Sequence, residues 1–341
     1  MAIQSHPKLF MVIDPVHIGT GGMRLGQVDN TIVREPGTKL PKIPGTSLSG
    51  AARQYAARTF GNKIQCAGSE NHCGLPSCPI CYTFGFVKGQ SATKAQAGTV
   101  SISDARILLF PVYSMIGPVW ITAPMTLKDS GIKDCVAPSD DSKGIWNAGL
   151  SGKNFINVGW LMLTKDPDKT PPDLNSGIPK EIAERVVIVT DRIFSQIVNS
   201  NLEVRTSVSI DPETGAARDK ALFTYEAIPR STILWTEIVE DDFLERFPSR
   251  KQLDEWSTEL KKKEEREKIF KLWGMDNSEE NGQEILKSIE SDKKRFKELG
   301  ARQQWESPLN VVDTGFDLME HLGIGGMGTR GFGRIKILAE N

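Results

Sequence analysis

HIGTGGMRLGQVDNTIVREPGTKLPKIPGTSLSGAARQYAAR, residues 17–58, is the stretch whose reading decides the fold. A loop with Gly19, Gly21, Gly22 and Gly26 leads to one carboxylate, Asp29, and a short alternating run carries Arg34. Pro44-Gly45 then turns the chain into a helix, where Thr46 or Ser47 suits the N-cap because a side-chain oxygen there accepts an orphan backbone N–H. Leu48, Ala52, Tyr55 and Ala56 fall at helical spacing, and Gly61 suits a left-handed stop. Glycines let a backbone come close to a polymer, and the free N–H groups of a helix start favour phosphate. The stretch reads as a surface that holds a nucleic-acid backbone, with His17, Arg34, Ser47 and Arg53 as the contacts it offers and Asp29 within reach.

Outward from that stretch, composition adds bounds rather than a function. The chain has 341 residues, with 42 Lys plus Arg against 43 Asp plus Glu and 39% hydrophobic residues. A sizeable core is allowed, and one elaborated domain suffices. Near-zero net charge carries no nucleic-acid signal of its own, so a basic surface has to be local. LFMVIDPVHI lacks the features of a signal peptide, and no apolar run is long enough to span a bilayer. The expectation is a cytoplasmic protein with no membrane partner.

Along the chain, Leu9 to Ile13 reads as a buried strand, Cys66 to Gly85 as loop, and Val100 to Phe110 as one strand with Val119 to Pro124 as its partner. Residues 125–154 read as a polar excursion and Phe155 to Leu163 as another strand. Ile182 to Ser195 fits helix or strand. Val204 to Glu226 has two β-rich arms around Asp-Pro-Glu-Thr-Gly, a long hairpin, and Ser231 to Val239 returns as a strand. From Asp241 to Leu299 an amphipathic helical insertion carries Leu253, Trp256, Leu260, Ile269, Phe270 and Trp273, and its KKKEERE run reads as a solvated helix face. A glycine-rich turn then feeds a last strand, RIKIL.

Cys66, Cys73, Cys78 and Cys81 are four of the five cysteines, crowded into one short segment. Cys78-Pro-Ile-Cys81 is a knuckle spacing for two thiolates on one tetrahedral ion, and four cysteines would close the shell around a structural zinc. Reduced, partly buried thiols are the alternative, and His72 is a spare ligand. Gly323-Ile-Gly-Gly-Met-Gly328 satisfies G-x-G-x-x-G, but only 13 residues follow it and no second βα unit can form, so a dinucleotide site is rejected. A structural turn, or a loop offering N–H groups, Arg330 and Arg334 to a phosphate backbone, stays open. Asp29 is either a turn residue bonding its own backbone or a functional carboxylate. His17 is either a bonded structural histidine, a phosphate contact or an acid–base group.

Four blocks in this order, HIGTG…LGQVDNTIVRE…LPKIPGTSLSGAAR, DARILLFPVYSMIGPVWITAP, VRTSVSIDPETGAARDKALFTYEAIPRSTILW and GIGGMGTRGFGRI, resemble the RAMP superfamily of CRISPR proteins. More narrowly they resemble the repeating backbone subunit of type III-B (Cmr) effector complexes, and the first and last blocks are shared with its type III-A counterpart. The resemblance implies an α+β fold with a ferredoxin-like (RRM-like) palm from residues 1–240 and 306–341. It further implies a β-hairpin thumb near 204–226, and the cysteine loop 66–81 and the helical insertion 241–305 complete the expected layout. Copies would stack into a filament along a CRISPR RNA beside other Cmr complex subunits, with each thumb interrupting the duplex formed with a target single-stranded RNA. The family's cutting carboxylate falls on Asp29, in a cleavage that depends on a divalent metal (Mg or Mn) and in which the 2′-hydroxyl attacks the adjacent phosphate. The glycine loop with Arg330 and Arg334 becomes a guide-RNA contact. Ser49, where a lysine is common, and Met327, in a loop often more polar, depart from the pattern. A catalytically silent RNA scaffold and a stand-alone RNA-processing nuclease using His17 are the competing readings.

A neutral chain that binds RNA through a local groove should show salt-sensitive affinity. Titration of the assembled protein with single-stranded RNA should give log affinity falling against log salt with a slope of ~0.7 per neutralised phosphate. Substituting Arg53, Arg330 or Arg334 should shallow that slope, whereas a salt-independent affinity would contradict the groove.

Overall fold

The computed structural model describes residues 3–21, 28–68, 71–88, 94–147, 150, 154–174, 177–243, 245–275, 277–300 and 304–338. Gly22 and Gly26 of the first glycine loop lie outside the described residues. The elements begin with β1 (Gln4–Val12), β2 (Lys42–Ile43), α1 (Gly45–Phe60), α2 (Pro79–Phe84), β3 (Val100–Ile102), β4 (Ala105–Val112) and β5 (Val119–Thr122). Next come α3 (Pro124–Asp129), β6 (Lys143–Gly144), β7 (Phe155–Val158), β8 (Leu161–Lys165), α4 (Lys180–Ala183), β9 (Val186–Ile188) and α5 (Asp191–Ser200). The chain closes with β10 (Glu203–Ile210), β11 (Ala217–Ala227), β12 (Ile233–Glu240), α6 (Arg250–Glu259), α7 (Lys263–Trp273), α8 (Glu279–Glu298), α9 (Pro308–Leu322) and β13 (Ile335–Leu338).

The main sheet runs in the order β13-β1-β12-β4-β5-β9. Taking β1, β4, β12 and β13 as first to fourth, their spatial order is fourth-first-third-second. Helix α1 lies between the first two in sequence and α9 between the last two. That is the split βαβ connectivity of a ferredoxin-like fold. β5 and β9 widen it, and β9 runs parallel to β5.

Two compact units divide the chain. One gathers Met1–His6, Thr46–Ser103 and Glu237–Met319. Its core is aromatic: Phe60 stacks on Trp305 at 5.2 Å and meets Phe296 edge-on at 5.1 Å. Leu48, Ala52, Ala56 and Phe60 put one face of α1 wholly out of water, the spacing expected of an amphipathic helix. Gly61, at φ +83°, ends α1, and Arg295 of α8 donates to the carbonyls of Phe60 and Thr59 there. A cation at a helix C-terminus satisfies orphan carbonyls and the helix dipole together. Leu253, Trp256, Leu260, Ile269 and Phe270 are buried in the same cluster, while Lys261 to Glu264 stand exposed.

The other unit comprises Pro7–Gly45, Asp104–Thr236 and Glu320–Asn341. Here β4 and β5 pair antiparallel, and β10 and β11 form a separate two-stranded ribbon with Val208 opposite Leu222 and Thr206 opposite Thr224. The ribbon carries exposed apolar side chains at Val208, Ile210 and Leu222.

Four local expectations are corrected. The expected strand Val100 to Phe110 breaks into β3 and β4 because Asp104 leaves the ladder, and its carboxylate accepts the Gly45 N–H at 2.8 Å. That carboxylate faces the start of α1, so Thr46 and Ser47 fall inside the first turn instead of capping it. Phe155 to Leu163 is two strands folded at Gly159, whose φ of +61° reverses the chain. The cysteine stretch is part helical: residues Ile64–Ala67 form a 3₁₀ turn and α2 starts at Pro79. The ambiguous Ile182–Ser195 resolves into both a strand, β9, and a helix, α5.

Helix contact is closest at Gly315 of α9, where an added Cβ would sit 2.3 Å from the Ala52 carbonyl oxygen. Gly282 of α8 meets only the flexible Arg266 side chain, at 3.2 Å. Gly315→Ala should therefore cost about 2 kcal/mol by overpacking, read as a lower urea midpoint. Gly282→Ala should stay within about 0.5 kcal/mol of wild type or gain slightly.

Candidate functional site

The segment after the first glycine loop is fastened to the second arm of the ribbon. Asn30 bridges Tyr225 in parallel: its N–H donates to the Thr224 carbonyl at 3.1 Å, and the Glu226 N–H donates back to the Asn30 carbonyl at 3.0 Å. Asp29 is half-buried at the head of this seam. Its Oδ2 accepts the Thr224 N–H at 2.9 Å and the Thr224 hydroxyl at 2.8 Å, while its own N–H donates to Thr224 Oγ1 at 2.9 Å. The backbone bond first and the hydroxyl bond second hold the Asp29 carboxyl below its ordinary pKa. Asp29 is thus bonded chiefly to another strand, with a smaller contribution from its own backbone N–H, and both Thr224 donors fall on Oδ2.

Glu226 ties the rest of the segment down. Its Oε1 accepts Arg34 Nη2 at 2.5 Å and its Oε2 accepts the Ile32 N–H at 3.2 Å. Arg34 also donates to Asn199 Oδ1 at 2.9 Å and the Ile32 carbonyl at 3.1 Å, so its guanidinium is engaged inside the protein. His17, 7% exposed, puts Nδ1 at 2.7 Å from the Glu226 carbonyl and its ring edge-on to Tyr225 at 5.8 Å.

The C-terminal glycine loop lies against the same segment. The Gly326 and Gly333 N–H groups donate to the His17 and Pro15 carbonyls. Gly325 has φ +82°, and a Cβ there would meet Ile18 Cδ1 at 2.5 Å, so only glycine fits. Arg330 is exposed, and its side chain bonds none of the described residues. Arg334 is paired with Asp14 at 2.5 Å, and Arg205 stands over the Phe332 ring at 4.9 Å.

The second cluster lies in the other compact unit. The sulfurs of Cys66, Cys73, Cys78 and Cys81 all fall within 4.8 Å of one another, with Cys66–Cys73 at 3.4 Å, Cys73–Cys81 at 3.8 Å and Cys66–Cys78 at 3.9 Å. A tetrahedral ion with metal–sulfur bonds near 2.3 Å needs sulfurs about 3.8 Å apart, so the four thiols fit one ion. Bonds from neighbouring thiols, Cys66 foremost, hold Cys73 down, and burial pushes the Cys78 thiol up. A cluster that already shares negative charge sheds its protons readily to a metal. His72 is not in the set: it is 6% exposed, both ring nitrogens lack a partner among the described residues, and burial followed by Arg53 lowers its pKa. Arg53 donates Nε to the Cys66 carbonyl at 2.6 Å, and Lys63 Nζ lies 3.2 Å from Asp292, which burial pushes up to about 6.

The structure therefore brings Asp29, His17 and Arg34 together through Thr224, Tyr225 and Glu226. Ser47 is half-buried on α1, and Arg53 belongs with the cysteine loop. Thr224, Glu226 and Asn199 escaped sequence reasoning. The Thr-Tyr-Glu ending of the second ribbon arm hinted at the first two, and no local signal pointed to Asn199 on α5.

The model of a family described as the RAMP superfamily matches residues 9–336. The CRISPR system Cmr endoribonuclease Cmr4 of Pyrococcus furiosus is 26% identical over 247 residues, 67% of this chain and 78% of the relative. The Cms endoribonuclease Csm3 of Methanothermobacter thermautotrophicus is 31% identical over 86 residues, 25% of this chain and 34% of that protein. Among solved structures, a chain of the type III-B Cmr-beta complex bound to cognate target RNA superposes with a TM-score of 0.57 at 15% identity, covering 98% of this chain and 96% of that one. Oligomeric Cmr4 from Pyrococcus furiosus gives 0.51 at 17% identity, covering 98% of both. At these identities the superpositions establish shared fold. No helix among the described residues is long and apolar enough to cross a membrane.

Metal analysis of protein purified without chelator should find about one ion per chain. Cys78→Ser with Cys81→Ser should remove it and lower the thermal midpoint. Finding no metal in the unchelated protein would contradict the centre.

Proposed function

We infer the function from the premise that this chain belongs to the RAMP superfamily: it is a backbone subunit of a type III CRISPR effector complex that binds CRISPR RNA and cleaves complementary target RNA. In this reading residues 1–240 and 306–341 are the palm, 204–226 the thumb and 241–305 an insertion. Its partners are further copies of itself, other complex subunits and the two RNAs. The names of its relatives support the endoribonuclease half of this reading. The observation that carries it is Asp29, an ionised carboxylate clamped at Thr224 near the root of the β10–β11 ribbon.

In-line attack needs the 2′-oxygen, the phosphorus and the leaving oxygen aligned, which a helical duplex does not provide. A ribbon wedged into the duplex would splay a nucleotide out, and positioning of that kind supplies much of a rate enhancement. Asp29 then acts beside the displaced nucleotide. Its depressed pKa makes it a weak base, which suits orienting the attacking 2′-hydroxyl and the charge around it. Mg or Mn, when bound, would neutralise charge at the scissile phosphate. Among the described residues Asp29 belongs to no group of three ligating side chains, so phosphate oxygens and water would complete the shell, as Mg favours. At the cysteine centre, four soft sulfur ligands with no open position suit structural zinc.

A silent scaffold is the second reading, and one observation favours it: the bonds between Asp29 and Thr224 are also what a purely structural seam between the segment and the ribbon would make. Cleavage of a labelled complementary RNA by assembled complex separates the two. Asp29→Ala should leave guide and target binding intact and lower cleavage by ~10²–10⁴. Products should carry a 2′,3′-cyclic phosphate and a 5′-hydroxyl. A carboxyl depressed in the fold is fully ionised above its unfolded pKa of about 3.9, and its contribution is lost only as pH falls through the lower folded value. Cleavage should therefore show no Asp29-linked acidic limb between about pH 5 and 8. Wild-type cutting by Asp29→Ala would leave the scaffold.

A further inference from the structure

We propose that Thr224 is the positioning residue of the site, making the ribbon and the Asp29 carboxylate one mechanical piece. This rests on the reading of Asp29 as the cutting carboxylate. Thr224 has every polar group committed to residues 29 and 30. Its N–H and hydroxyl both donate to Asp29 Oδ2, at 2.9 and 2.8 Å, and its hydroxyl oxygen accepts the Asp29 N–H at 2.9 Å. Its carbonyl takes the Asn30 N–H at 3.1 Å.

Two donors on one oxygen, with the backbone N–H closing a ring, fix both side-chain torsions of Asp29. Both Thr224 donors fall on Oδ2, so Oδ1 takes no bond from Thr224 and is the oxygen this geometry offers to substrate. No other side chain among the described residues bonds Asp29. A threonine suits the task because its branched Cβ restricts χ1 and holds the hydroxyl in place. Thr224 also lies opposite Thr206 in the ribbon, so a shift of the ribbon would carry the carboxylate with it. The wedge that displaces a nucleotide and the group that cuts beside it then keep a fixed separation.

The test uses complexes assembled on guide RNA, with single-turnover cleavage of labelled target at saturation and target affinity measured in parallel. Thr224→Val keeps the shape and the backbone bond and deletes both hydroxyl bonds. It should lower the cleavage rate about 10- to 100-fold, the scale of a misplaced catalytic group, with target affinity unchanged. Thr224→Ser should restore the rate to within about three-fold of wild type, and Thr224→Ala replaces the valine variant should that fail to assemble. Asp29→Ala combined with Thr224→Val should be no slower than Asp29→Ala alone. With Asp29→Ala inert, a wild-type rate in Thr224→Val overturns this proposal only. So does a loss that serine does not rescue and that affinity shares, or an additive loss in the double variant. If Asp29→Ala itself cuts normally, the catalytic reading falls and this inference with it.

Discussion

A carboxylate taken out of water must be paired or it destabilises the fold by several kcal/mol. Glu226 is a buried acid that imposes this constraint on the second compact unit. Its two oxygens require Arg34 and the Ile32 N–H, and its backbone requires His17 and Asn30. Each partner belongs to the segment that follows the first strand. Once Glu226 is satisfied, that segment lies along β11, Asp29 arrives opposite Thr224, and the C-terminal glycines close over His17 and Pro15. Removing either member of the Arg34–Glu226 pair would therefore loosen the seam as well as the pair.

The other unit solves a different problem. Its aromatic core around Phe60, Phe296 and Trp305 is well filled, but the cysteine loop beside it has little regular structure. Four thiols at mutual bonding distance of a single ion give that loop a centre of its own. Arg53 from α1, and Lys63 paired with Asp292 of α8, anchor its flanks. Charge balance favours the arrangement, since burial opposes the Lys63 ammonium while Asp292 and then the Cys78 and Cys73 sulfurs outweigh it.

Much of the architecture could be read from local pattern. The helix after Pro44, the ribbon arms, the amphipathic helices and the closing strand each carry their own periodicity or turn chemistry. The cysteine set was legible from spacing, and Asp29 from its place after the glycines. What escaped was non-local. Asp104 looks like a strand residue until it is seen to face the start of α1, which breaks one expected strand and displaces the expected cap. Gly159 hides a hairpin inside an apolar run. Thr224 and Asp29 are 195 positions apart, and no periodicity links them. Arg34 reads as a surface cation, and only the fold reveals that an internal acid holds it.

The β10–β11 ribbon has a consequence for how the chain behaves in solution. A two-stranded ribbon is marginal in water unless something supports it, and this one exposes Val208, Ile210 and Leu222. Such an exposed apolar edge is sticky but asymmetric. Contact between it and a different surface of another copy would leave that copy's own ribbon free, so growth would have no natural end point. Solubility and length of assembly are then two faces of one property, and any component that caps the exposed ribbon sets both.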